Sequence, residues 1–237
     1  MRKSTKSNDD VVHEKMPGRR LSNILLNEEL LPELEKGALD LGFAHPTKPL
    51  ASIAPRIIHA WQAIEVKFSA EVIAARVQEV SAAISRNYLN SNRQLVVIGV
   101  LKGCSPFISD LVRAMDQRLL MEVDFVETSF YGNQFMPAQR AEIRLPQTDL
   151  EGKDVLLVDD ILDTGTTLNR IIAQLYKCKP RSIDACVLIE KTARRCEPVP
   201  ELRYGGFTLK NGWVIGYGMD YEQYYRNLPY VGVLKNS

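Results

Sequence analysis

From Ala63 onward, apolar runs and helically spaced apolar positions take turns along the chain. "IEVKF" (Ile64–Phe68) alternates apolar and polar residues, as a strand does at a sheet edge. Ser69 then stands where it can cap a helix whose apolar positions Ile73, Val77, Val80 and Ile84 recur at helical spacing. "QLVVIGVL" (Gln94–Leu101) is apolar without alternation, the mark of a strand covered on both faces. Ser105 and Pro106 read as the N-cap and first-turn proline of a second helix, with Phe107, Leu111, Val112 and Met115 inward. "EVDFVETSF", "VLLVD", "IDACVLIE" and "WVIGYG" read as further strands, and Leu168, Ile171, Ile172 and Leu175 mark another helix. Strands alternating with helices predict an α/β fold, a parallel sheet flanked by helices on both faces.

The front of the chain has a different texture. The first twenty residues are polar and mixed in charge, so disorder is the expectation. Residues Leu21 to Phe43 carry a short amphipathic helix pattern through Ile24, Leu30, Leu31 and Leu34, interrupted at Pro32. His45 to Pro55 has the proline and alanine of a linker. Residues 1–62 are therefore read as an N-terminal extension, partly disordered, and 63–237 as one domain. A second polar stretch, Ser129 to Glu151, shows little sustained periodicity, and a loop of that length in a compact domain is expected to be a lid or disordered.

Composition narrows the classes. The 237 residues are 45% hydrophobic and 25% charged, ordinary for a soluble domain. A formal charge of +1 offers no global electrostatic footprint, so nucleic acid is not an expected partner. The apolar runs fall short of membrane-spanning length, and no membrane association is expected. Cys104, Cys178, Cys186 and Cys196 show no CxxC pairing, which favours reduced thiols and a cytoplasmic location. His13, His45 and His59 lack metal-ligand spacing.

The densest chemistry lies in "VLLVDDILDTGTTLNRII" (Val155–Ile172). Asp159 and Asp160 end an apolar strand, where ligands bind in open parallel sheets. Asp163-Thr164-Gly165-Thr166-Thr167 then forms a loop and first helical turn. Gly165 permits close backbone approach, and successive N–H groups at the positive end of a helix make an anion cradle. Carboxylates that accept from hydroxyls beside donors for a phosphate suit a sugar phosphate. Spacing alone leaves open an acidic turn that merely caps a helix. Neither GxGxxG nor GxxxxGK[ST] is present.

A strand, two acidic residues, two apolar residues and Asp-Thr-Gly-x-Thr resembles the phosphoribosyl-diphosphate motif of type I phosphoribosyltransferases. The resemblance spans about residues 63–237. At "NGWVIGYGMDYEQYYRNLPYVGVL" it narrows to the hypoxanthine and hypoxanthine-guanine enzymes. It implies a small hood containing the C-terminal segment over the active site. The implied activity is purine salvage: transfer of ribose 5-phosphate from phosphoribosyl diphosphate to N9 of hypoxanthine and/or guanine, with Mg2+ as cofactor.

The resemblance also implies roles. Asp163 is the acid/base group near N7 of the base. Asp159 and Asp160 hold the ribose hydroxyls and organise Mg2+, and the Thr164, Gly165, Thr166 and Thr167 segment binds the 5-phosphate. Lys102 and Gly103 of "LKG" contribute a backbone pyrophosphate contact, often through a non-proline cis peptide before the lysine. Lys191 donates to O6 of the purine, Arg195 supports the pyrophosphate side, Trp213 stacks on the base, and Val214 meets its edge. Asp220 contacts a second Mg2+, and Arg226 the pyrophosphate. Ser129 and Tyr131 belong to the lid, with Phe130 standing where the family has a serine. A homodimer or homotetramer is implied as well. Two alternatives stay open: a nucleotide-sensing RNA-binding regulator on the same fold, and a xanthine-preferring transferase.

Overall fold

The computed structural model describes residues 64–89, 93–130 and 141–235. The expected N-terminal extension with its helix and linker, the three histidines and Tyr131 lie outside those residues.

Among the described residues twelve elements follow one another: β1 (Ile64–Phe68), α1 (Ala70–Leu89), β2 (Leu95–Leu101), α2 (Ser105–Ala114), β3 (Met121–Phe130), β4 (Ala141–Arg144), β5 (Asp154–Leu162), α3 (Thr166–Tyr176), β6 (Ser182–Lys191), β7 (Leu202–Leu209), β8 (Trp213–Ile215) and β9 (Val231–Leu234). The main sheet runs β4-β3-β2-β5-β6-β7. All its pairings are parallel except β3 with β4, which is antiparallel. A second sheet, β1-β9-β8, is antiparallel and forms the expected hood.

The apolar runs resolve into two faces. On β2, Leu95 and Val97 join the core under α1 and α2, while Val96, Ile98 and Val100 join the core under α3. β5 repeats the pattern, with Leu156 and Val158 on one side and Val155 and Leu157 on the other. Side chains on a strand alternate in direction, so a strand with helices on both faces cannot alternate in polarity. The predicted inner faces are buried too: Ile73, Val77, Val80 and Ile84 on α1, and Leu168, Ile171, Ile172 and Leu175 on α3. Each such side chain stabilises the fold by about 1.5–3 kcal/mol.

Several local expectations change. Val72 N–H does donate to Ser69 Oγ, at 3.4 Å. Ser105, however, is already helical. The N-cap of α2 is Cys104, and Ser105 Oγ donates to the Lys102 carbonyl at 2.8 Å, which ties the helix to the preceding loop. The Ser129–Glu151 stretch contains strand β4, held by register pairs such as Thr128 with Ile143. Strands β7 and β9 were not anticipated, and "WVIGYG" ends as a strand at Ile215 because Gly216 turns with φ 87°.

Candidate active site

Parallel strands deliver their carboxyl ends to one edge, so the loops after β2, β5 and β6 converge there. Two cavities open among them. The smaller, about 240 Å³, is lined by Leu101, Gly103, Asp159, Thr164, Gly165 and Thr167, among others. The larger, about 670 Å³, is lined by Lys191, Arg194, Trp213, Val214, Met219 and Asp220. Asp160, Ile161 and Asp163 belong to both, so the two form halves of one bipartite site.

The smaller half surrounds the N-terminus of α3, where the sequence leads to the expectation of an anion cradle. Gly165 is the N-cap of α3 with φ 93° and provides no side-chain cap, and of the first-turn amides that of Thr166 donates to Thr164 Oγ1 at 3.4 Å. A Cβ at Gly165 would stand 2.5 Å from the Glu197 carbonyl oxygen, so a glycine is required. Thr164 and Thr167 line the cavity, whereas the Thr166 hydroxyl donates to Glu197 Oε1 at 3.1 Å. Of the three threonines, Thr166 thus has its hydroxyl committed elsewhere. Across the cavity, the Leu101–Lys102 peptide bond is cis, as the resemblance implied. Gly103 packs on the Asp160 carboxylate so closely that any Cβ would overlap it. The Lys102 side chain is exposed and lines neither cavity.

Asp159, buried, and Asp160, half-buried, form a carboxyl pair. Burial pushes the Asp159 carboxyl well above the usual carboxylate range, and the neighbouring charge and hydrogen bond of Asp160 add to the rise. Burial also raises Asp160, opposed by a hydrogen bond from Asp159, the Asp160 and Ile161 amides and the Arg226 charge. Lying side by side out of water, both carboxyls are therefore shifted upward. Burial and the same carboxylates push the Cys104 thiol up as well, so it stays neutral behind them.

At the junction, Asp163 Oδ2 pairs with Lys191 Nζ at 3.5 Å and Arg194 Nη1 at 3.3 Å. Its other oxygen, Oδ1, is buried and has no hydrogen-bond partner among the described residues. A buried acceptor in that state calls for a ligand proton or donor. Lys191 is buried, 7% exposed, at the end of β6. Arg195, by contrast, lines neither cavity. Its guanidinium donates to the Asp163 and Lys191 carbonyls and pairs with Glu190, so it braces the loops that carry both residues.

The far wall comes from the hood. Trp213 is 49% exposed, with Nε1 donating to the Asp220 carbonyl at 2.9 Å and its ring edge-on to Tyr221. That bond fixes the indole plane while leaving area for a flat ligand. Val214 is buried beside it. Asp220 Oδ1 pairs with Arg226 at 2.8 Å, and Oδ2 accepts from the Gln223 amide at 2.8 Å. Arg226 also donates to the Gly218 carbonyl and does not line either cavity. Ser129 and Phe130 end β3, opposite Glu142 and Ala141. The motif-based reading missed Arg194, Asn211 and Met219 in the larger cavity and Thr128 in the smaller. The adjacent arginines of "EKTARR" carried a signal for Arg194, but not which of the two faces the cavity.

A mostly parallel sheet covered on both faces, with a cavity at the N-terminus of α3 beside a hooded aromatic pocket, defines an α/β ligand-binding architecture. The family model described as phosphoribosyl transferase domain matches residues 69–222. The chain belongs to the phosphoribosyltransferase family. The hypoxanthine phosphoribosyltransferase of Salmonella typhimurium is 38% identical over 170 residues, covering 71% of this chain and 94% of that protein. The crystal structure of a hypoxanthine phosphoribosyltransferase from Staphylococcus aureus matches with a TM-score of 0.67 and 35% identity, covering 76% of this chain and 95% of that one. The bifunctional protein TilS/HprT of Listeria innocua is 31% identical over 244 residues, 98% of this chain. The chain spans 37% of the length of that bifunctional relative.

Proposed function

We propose that the protein is a purine-salvage enzyme that transfers ribose 5-phosphate from phosphoribosyl diphosphate to N9 of hypoxanthine and/or guanine, releasing pyrophosphate. One observation carries this reading: the anion cradle and the Trp213 pocket meet at Asp163, whose buried Oδ1 lacks a partner among the described residues. In this reading the amides and hydroxyls from Thr164 to Thr167 take the 5-phosphate, with Thr166 contributing its backbone only. The base lies against Trp213 and Val214. Lys191 donates to O6, an acceptor in 6-oxopurines, whereas the 6-amino group of adenine would face it donor to donor. Asp163, held by Lys191 and Arg194 through Oδ2, offers Oδ1 to the proton at N7.

Loss of pyrophosphate builds positive charge on the ribose ring, which the Asp159–Asp160 carboxylates oppose. Mg2+ usually binds through one or two protein carboxylates together with waters and substrate phosphates. The described residues hold no cluster of three or more ligands, and the Asp159–Asp160 pair suits such a shared site. A cation held there would favour the ionised form of both carboxyls and offset the negative charge of the leaving group. Asp220, braced by Arg226, would serve a second ion on the pyrophosphate side, with Arg226 itself and the Lys102–Gly103 backbone near that group.

Exposed Leu120, Val123 and Phe125 on and beside β3 support a homodimer or homotetramer. Four free cysteines suit a cytoplasmic protein. Among the described residues, no helix is long and apolar enough to cross a membrane. The test is a coupled assay of phosphoribosyl diphosphate with hypoxanthine, guanine, xanthine and adenine in parallel. Turnover of the first two with adenine inert is expected. Turnover of adenine alone, or of none, contradicts the reading.

A further inference from the structure

The segment after β6 does more than carry Lys191 and Arg194. It doubles back so that the Cys196 and Glu197 amides both donate to the Thr164 carbonyl, at 3.0 and 3.1 Å. The Glu197 carboxylate then accepts from Thr166 Oγ1 at 3.1 Å and from Asn169 Nδ2 at 3.2 Å, while Asn169 Nδ2 also reaches the Pro198 carbonyl at 2.9 Å. The Glu197 carbonyl packs over Gly165. One short segment therefore grips the anion cradle at Thr164, Gly165, Thr166 and Asn169. The same segment begins at the residue expected to read the purine.

We propose that Glu197 is a positioning residue that holds the Thr164–Asn169 loop in its phosphate-ready shape before substrate arrives. The inference rests on the reading of that loop as the 5-phosphate site. Thr166 turns its hydroxyl out of the cavity because Glu197 accepts it, and this sets the direction of the first amides of α3. A loop ordered in advance spares the ligand the cost of ordering it. Glu197 touches no reacting atom; it acts through Thr166 and Asn169.

The experiment compares inosine monophosphate with inosine, ligands that differ only by the phosphate, on the full chain. The ratio of their dissociation constants reads the phosphate contribution. In Glu197→Ala this ratio is expected to shrink about tenfold, as for loss of charge-assisted hydrogen bonds. Glu197→Gln, which keeps an acceptor for Thr166, is expected to shrink it less, and Thr166→Val is expected to shrink it in the same direction. Hydrogen exchange of the 164–169 amides, measured without ligand, is expected to quicken in Glu197→Ala. An unchanged ratio, equal weakening of both ligands, or tighter monophosphate binding in both Glu197 variants overturns the proposal. If the wild-type chain does not prefer the monophosphate, the phosphate-site reading fails by itself. The exchange rates then decide the clamp: faster exchange upholds it and unchanged rates overturn it.

Discussion

Gly165→Ala puts the anion cradle under direct load. At φ 93° a Cβ is disfavoured by about 1–2 kcal/mol in any surroundings. Here it would also stand 2.5 Å from the Glu197 carbonyl oxygen, which is backbone and cannot swing aside. The 196–198 segment or the first turn of α3 must therefore shift. Together these costs come to about 2–3 kcal/mol. For a domain of this size each kcal/mol lowers Tm by about 2–4 °C, so a fall of about 4–12 °C is predicted. Gly152→Ala is the control, because Gly152 has φ 71° but nothing within 4 Å of an added Cβ. It carries the conformational cost without the clash, and it lies outside both cavities. Thermal melts and ribose 5-phosphate titrations of both variants separate the terms. Gly165→Ala is expected to lose more stability than Gly152→Ala and to bind ribose 5-phosphate at least about tenfold more weakly, while Gly152→Ala binds normally. Equal melting temperatures with unchanged binding in both would refute the reasoning.

Three further predictions address the chemistry. Asp163→Asn, nearly isosteric, should lower kcat by about 10²–10⁴-fold with little change in KM, and full activity by steady-state assay would remove Asp163 from proton transfer. Lys191→Met keeps the stem but removes the donor to O6. It should cost about 10–100-fold in kcat/KM for hypoxanthine and narrow the gap to adenine, and unchanged specificity would count against it. Asp159 binds a proton more tightly folded than unfolded, so its contribution to stability is present at low pH and lost as pH rises above the ordinary carboxylate range toward its raised folded value. The difference in Tm between the wild type and Asp159→Asn should therefore fall as pH rises through that window, and Mg2+ should restore part of it. A difference independent of pH would contradict the raised Asp159 carboxyl.

What the sequence disclosed follows from where the information resides. β2, β5 and β6 were legible because burial on both faces demands unbroken apolar runs. β7 was not, since "LRYGGFTL" carries two glycines that read as a turn. In the fold, Arg76 of α1 donates to the carbonyls of both Gly205 and Gly206, at 2.9 and 2.8 Å, a long-range contact that no local pattern announces. β4 and β9 are four residues each, and their antiparallel partners supply the order they lack alone. The cradle was legible because its groups are contiguous from Asp159 to Thr167. Arg194 and Glu197 were not, because their roles depend on how the segment after β6 folds back across another loop. Trp213 stood out only through the family resemblance; by itself a tryptophan in a short strand looks like core.

The most direct measurement is a crystal structure with inosine monophosphate bound. The account predicts the phosphate on the amides of Thr164 to Thr167, the purine flat against Trp213 with O6 toward Lys191, and Asp163 Oδ1 at N7. A nucleotide bound elsewhere, or a cradle left empty at saturating ligand, would contradict it.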